Sequence, residues 1–111
     1  CRALMEMVYP GVLDRHATFP LTFVEVSPGA PAVLGKVTVD AFPMVHDAAA
    51  GPCQGYRFSH GGRTLAFTGD TGWTDAIIPL AAKADLFVSE CCFVDVALPN
   101  HLGWRQQNRL R

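Results

Sequence analysis

Apolar and polar residues alternate most cleanly at residues 33–42 (Val-Leu-Gly-Lys-Val-Thr-Val-Asp-Ala-Phe). Val37, Val39 and Ala41 fall on one face and Lys36, Thr38 and Asp40 on the other. A period of two predicts one half-buried strand, running on into Pro43-Met44-Val45-His46. Residues 22–26 (Thr-Phe-Val-Glu-Val) alternate in the same way and predict a second strand. Residues 55–59 and 63–68 predict a hairpin, with a turn at His60-Gly61-Gly62 whose glycines admit positive φ. In residues 73–83, Ile77, Leu80 and Ala81 recur at helical spacing, and Pro79 predicts that the helix is short or kinked. Residues 85–90 (Asp-Leu-Phe-Val-Ser-Glu) form a nearly continuous apolar run, as expected of a short strand covered on both faces. Residues 2–9 are apolar and end at Pro10-Gly11, and their period does not separate a strand from a short helix. Residues 101–111 read as the start of a helix.

Strand 63–68, helix and strand 85–89 make a βαβ unit, which places its two strands parallel. The hairpin before it is antiparallel. The expected fold is therefore α/β with a mixed sheet and a helix on at least one face. Composition agrees: 50% hydrophobic and 17% charged residues suit a single globular unit with a core. Nine basic and ten acidic residues leave a formal charge of -1, and the C-terminal basic residues reduce to Arg105, Arg109 and Arg111. Nothing in that balance points to nucleic-acid binding through an electrostatic patch, although a longer parent protein could carry one. The longest apolar stretch, residues 76–82, is far short of the roughly 18–20 residues that span a bilayer, so no membrane partner is expected. Cys91 and Cys92 are adjacent, and neither pairs with Cys1 or Cys53 in a C-x-x-C pattern. Free thiols in a reducing cytoplasm are the expectation. The chain starts at Cys1 and stops at Arg111 inside a basic stretch, so residues 1–111 are expected to be one partial domain, a fragment.

Three polar residues follow predicted strands: His46, Asp70 and Glu90. Ligands of open α/β sheets bind beyond the carboxyl ends of strands. If the three strands run the same way, these side chains meet on one rim, and an imidazole with a carboxylate is a partial ligand set for zinc or manganese. Each residue also has a plainer reading. His46 fits a loop histidine, Gly69-Asp70-Thr71-Gly72 fits a turn with Asp70 or Thr71 capping the helix, and Glu90 fits a strand-end charge. Glu90 lies between Val88 and two cysteines, so it would be partly buried and would want a partner. His16, His60 and His101 read as surface residues.

Taken in order, His46, Gly55-Tyr56-Arg57, Gly69-Asp70-Thr71-Gly72, Ser89-Glu90-Cys91 and His101 resemble the second half of a metallo-β-lactamase-fold hydrolase. The resemblance is to the branch of ribonuclease Z and related phosphodiesterases, and covers about residues 37–101. It implies half of an αββα sandwich and a metal-dependent hydrolase in the intact protein. His46 would be a metal ligand and Asp70 a carboxylate bridging two ions, zinc or alternatively manganese, about 3.5–4 Å apart with hydroxide as nucleophile. Asp70 would thereby be catalytic, and His101 would donate a proton to the leaving group. Glu90 and Thr71 would support the ligands from behind. A phosphodiester of a small molecule, nucleotide or RNA is the expected substrate, with another ester or an amide as the alternative. Only 24 positions separate His46 from Asp70 (70 − 46), which favours the shorter phosphodiesterase-like members over ribonuclease Z itself. Leu102 follows His101 where that branch has Ser or Thr. The family's His-x-His-x-Asp-His cluster is absent from the chain, so the chain alone is expected to be inactive and marginal or dimeric. The alternatives are a non-catalytic binding module of the same fold, or a small structural α/β domain.

Overall fold

The computed structural model describes residues 2–15, 19 and 22–108. Cys1, His16, Arg109 and Arg111 lie outside them. Elements follow in the order α1 (Arg2–Val8), α2 (Val12–Arg15), β1 (Ala32–Leu34), β2 (Val37–Met44), a single 3-10 turn (Ala48–Ala50), β3 (Cys53–His60), β4 (Arg63–Phe67), α3 (Ile77–Ala81), β5 (Leu86–Val88) and α4 (Trp104–Gln107). The five strands form one sheet in sequence order. β1 to β4 pair antiparallel, and β4 pairs β5 parallel across α3, so the sheet is mixed as expected. The chain is α/β.

Three expectations about elements need correction. Residues 33–42 are not one strand: the chain reverses at Gly35-Lys36, where Gly35 has φ 62°, and Leu34 pairs back onto Val37. Glycine there carries the left-handed turn that the alternation around it hides. Residues 22–26 form no strand. Their β-branched composition has no neighbouring strand to pair with, and a strand exists only through its partner. β5 is not covered on both faces, since Leu86 and Val88 are exposed on the sheet's edge.

The Gly61-Gly62 turn closes the β3–β4 hairpin with φ of 55° and 74° at its two positions. Positive φ at both is what a two-residue type I′ turn needs. His60 pairs with Arg63 beside it, is exposed, and its Nδ1 donates to the Lys36 carbonyl at 2.7 Å. α3 is shorter than residues 73–83 and begins at Ile77. Pro79 is its third residue, where a missing N–H leaves no intrahelical bond unmade.

Register assigns the two sheet faces. Met44, Gly55, Arg57, Ala66 and Phe87 share the face that α3 covers. Met44, Ala66, Ile77, Leu80 and Leu102 form its buried cluster. Gly55 leaves room for that packing: a Cβ there would lie 3.1 Å from Leu80 Cδ2 and 3.0 Å from the Phe67 carbonyl oxygen. Arg57 then donates to the Leu80 and Ala82 carbonyls, at 2.7 and 2.8 Å, and closes the end of α3 with a positive charge. The Gly-Tyr-Arg segment is thus a seat for α3. The opposite face carries Val39, Ala41, Tyr56, Phe58, Leu65, Phe67, Leu86 and Val88. Leu65, Phe67, Leu86 and Val88 on it are exposed.

Candidate metal-binding rim

β2, β4 and β5 run in the same direction, so the segments after them leave from one end of the sheet. Thr71 fastens these segments together. It is fully buried, its Oγ1 accepts the Val45 N–H at 3.0 Å, and its hydroxyl donates to the Gly72 carbonyl at 2.8 Å. Its own N–H donates to Glu90 Oε1, tying the turn after β4 to the end of β5. Gly72 N–H donates to the Val45 carbonyl at 2.6 Å, so the chain before His46 and the chain after Asp70 lie side by side. Neither Asp70 nor Thr71 caps α3, whose N-cap is Ala76.

The third wall of the rim is the loop at Pro99-Asn100-His101. Leu102, 1% exposed, plugs into the core cluster, and its carbonyl accepts the Cys92 N–H at 3.0 Å. That explains an apolar residue after His101. Gly103 follows it because a Cβ would come within 2.7 Å of the Val96 carbonyl oxygen. Gly72 is needed for a stronger reason of the same kind: its Cβ would lie 1.9 Å from the Pro99 carbonyl oxygen. The turn and the loop meet backbone to backbone.

Two histidines face each other here. His46 Nδ1 lies 3.0 Å from the Asn100 carbonyl oxygen. A carbonyl only accepts, so Nδ1 holds the proton and Nε2 of the neutral ring keeps its lone pair. His101 Nδ1 lies 3.0 Å from Glu90 Oε2, and the two rings stand edge to face with centroids 4.9 Å apart. Glu90 is only partly exposed. Burial works to raise its pKa, but the Thr71 N–H, the Cys92 thiol and His101 together hold it below the ordinary carboxylate range. The Cys92 thiol donates to Glu90 Oε2 at 3.2 Å, and that bond, with Glu90 and Asp70 nearby, pushes the thiol's pKa up. Asp70 is exposed at the same rim.

The structure thus brings His46, Thr71, Glu90 and His101 into one connected set and puts Asp70 next to it in the chain. Nothing in the sequence reading pointed to Cys92, to the Asn100 carbonyl or to the close approach at Gly72. Cys92 stands two residues after Glu90, which was the one available signal. By chemical type, a histidine imidazole and an aspartate carboxylate are donors that suit zinc or manganese.

Residues 3–109 match the model of the Beta-lactamase superfamily domain. The chain belongs to the beta-lactamase superfamily. Among the superfamily's curated proteins it is 30% identical, over 70 residues, to the "Probable metallo-hydrolase YhfI" of Bacillus subtilis (strain 168), an overlap of 63% of this chain and 28% of that protein. The crystal structure of the metallo-beta-lactamase fold protein YhfI from Bacillus subtilis superposes with a TM-score of 0.69 at 26% identity, covering 78% of this chain and 36% of that one. The five-stranded mixed sheet is therefore that of the metallo-β-lactamase fold. The chain spans about a third of the length of these relatives. Among the described residues no helix is long and apolar enough to cross a membrane.

Proposed function

We propose that this chain supplies part of the catalytic rim of a metal-dependent hydrolase, with His46 and Asp70 as metal ligands and His101 as the proton-handling group. The observation that carries the reading is the Nδ1 contact of His46 with a main-chain carbonyl. It holds the ring in the tautomer whose Nε2 is a metal-ligand nitrogen, which is how ligating histidines are commonly oriented. The bound metal, zinc or manganese in a two-ion arrangement, would polarise a phosphodiester or other ester bond and lower the pKa of water beside it.

The chain's own residues divide the remaining work. Asp70 offers a carboxylate at the mouth of the rim. Glu90 accepts the Nδ1 proton of His101, so Nε2 is the ring atom left to hold a proton for the leaving group. Glu90 is itself held by Thr71, so the orientation of His101 traces back to the buried turn after β4. The remaining ligands would come from segments outside residues 1–111. The exposed apolar face of Leu65, Phe67, Leu86 and Val88 supports that reading, because a second sheet of an αββα sandwich would cover it.

In the intact protein, Asp70→Ala and His46→Ala should each lower the bound metal per chain and abolish metal-dependent hydrolysis of a phosphodiester such as bis(p-nitrophenyl) phosphate. Unchanged metal content in both variants refutes the ligand assignment and leaves a binding module of the same fold.

A further inference from the structure

We propose that Glu90, Cys92 and His101 form a separate site for one thiophilic divalent cation of the zinc, cobalt or cadmium kind. Three different donor atoms already point at one another here. Glu90 Oε2 lies 3.2 Å from Cys92 Sγ and 3.0 Å from His101 Nδ1, and all three donors lie within 4.8 Å of each other. Around a tetrahedral zinc with ordinary bond lengths, such donors would be about 3.4–3.6 Å apart. The two contacts on Glu90 Oε2 would open by a few tenths of an ångström, and Cys92 and His101, within 4.8 Å of each other, would draw together.

The protons make the same point. Both the thiol and the imidazole N–H are aimed at a single carboxylate oxygen. A divalent ion placed between them replaces that pair of contacts. The thiol proton leaves to solvent, the imidazole proton moves from Nδ1 to Nε2, and the thiolate and carboxylate balance the ion's two charges. Glu90 Oε1 stays on the Thr71 N–H, which holds the carboxylate in place from behind. Cys92 is exposed, so the site is open to solvent. Three protein donors leave the fourth position to water.

This site uses neither of the metal ligands proposed above, His46 and Asp70, but it shares Glu90 and His101 with the proton-handling pair of that reading. Its consequence for His101 is direct. With Nδ1 on an ion, the ring cannot take a second proton, so an ion bound here switches off the proton donation proposed above for His101, and the site is inhibitory.

Cobalt(II) titration of the intact protein tests the proposal, because a thiolate ligand adds a charge-transfer band in the near ultraviolet that nitrogen and oxygen ligands do not. The expected result is a band that saturates at one ion per chain. Cys92→Ser should remove the band and one bound ion, Glu90→Gln should weaken that ion at least tenfold, and a His46→Ala/Asp70→Ala variant should keep the band. Cys92 is exposed, and an unchanged urea midpoint for Cys92→Ser shows that folding is intact. No band in the native protein, a band that survives Cys92→Ser, or a band lost with His46 and Asp70 overturns the proposal. Loss of metal without loss of the band in the double variant leaves both sites standing. Loss of neither overturns only the His46–Asp70 assignment.

Discussion

Replacing Gly72 with alanine should disable the rim without touching any group on it. The added Cβ would sit 1.9 Å from the Pro99 carbonyl oxygen and 2.8 Å from its carbon, and both atoms are backbone. To go from 1.9 Å to even 3.0 Å, the loop must retreat by about 1.1 Å. Its retreat carries Asn100 away from His46 and His101 away from Glu90, since both contacts stand at 3.0 Å with no slack. Overpacking of this kind costs about 1–3 kcal/mol. A displacement of about 1 Å at reacting groups costs on the order of 100-fold in rate. Gly62→Ala is the control. Gly62 has φ 74° with nothing within 4 Å, so alanine there meets only left-handed strain of about 1–2 kcal/mol, far from the rim. Urea unfolding should show both variants destabilised to a similar degree, and the phosphodiester hydrolysis proposed for the intact protein should be lost only in Gly72→Ala. A Gly72→Ala protein with native activity would refute the reasoning, because it would mean that the loop's position does not set the two histidines.

Substitutions at two further positions test the buried turn and the far end of the sheet. Thr71→Val should cost about 1–3 kcal/mol in urea unfolding, because the Val45 N–H loses its acceptor, while Thr71→Ser should recover most of it. At the other end of the sheet, Asp85 is held below its ordinary pKa by the Arg63 guanidinium, 2.6 Å away, and by the Thr64 N–H at 2.8 Å. A depressed carboxyl stabilises the fold above its unfolded value of about 3.9, and the benefit is lost as pH falls through the lower folded value. Asp85→Asn should therefore lower the melting midpoint at neutral pH, and the difference from the native protein should close under acid.

Local signals were legible where one residue type has one use. Gly61-Gly62 announced its hairpin, and the alternation of Val39 and Ala41 with Thr38 and Asp40 announced β2. The parallel βαβ order put the segments carrying Asp70 and Glu90 at one end of the sheet, and the place of His46 there hung on the direction of β2. What stayed hidden was non-local. Gly35 lay inside a run that reads as one strand, because the pairing of Leu34 with Val37 only shows once the hairpin closes. The run in β5 is apolar whether its faces are covered or bare. The loop holding Asn100 and His101 reaches the rim through Leu102, a single buried side chain with no periodic neighbours.

His46 takes its orientation from the main chain at position 100 and not from the asparagine side chain. Alanine scanning would pass over that position as silent, and relatives would be free to vary it without loosening the imidazole. What must persist is the path of the peptide, so the anchor is inherited as a loop shape rather than as an amino acid.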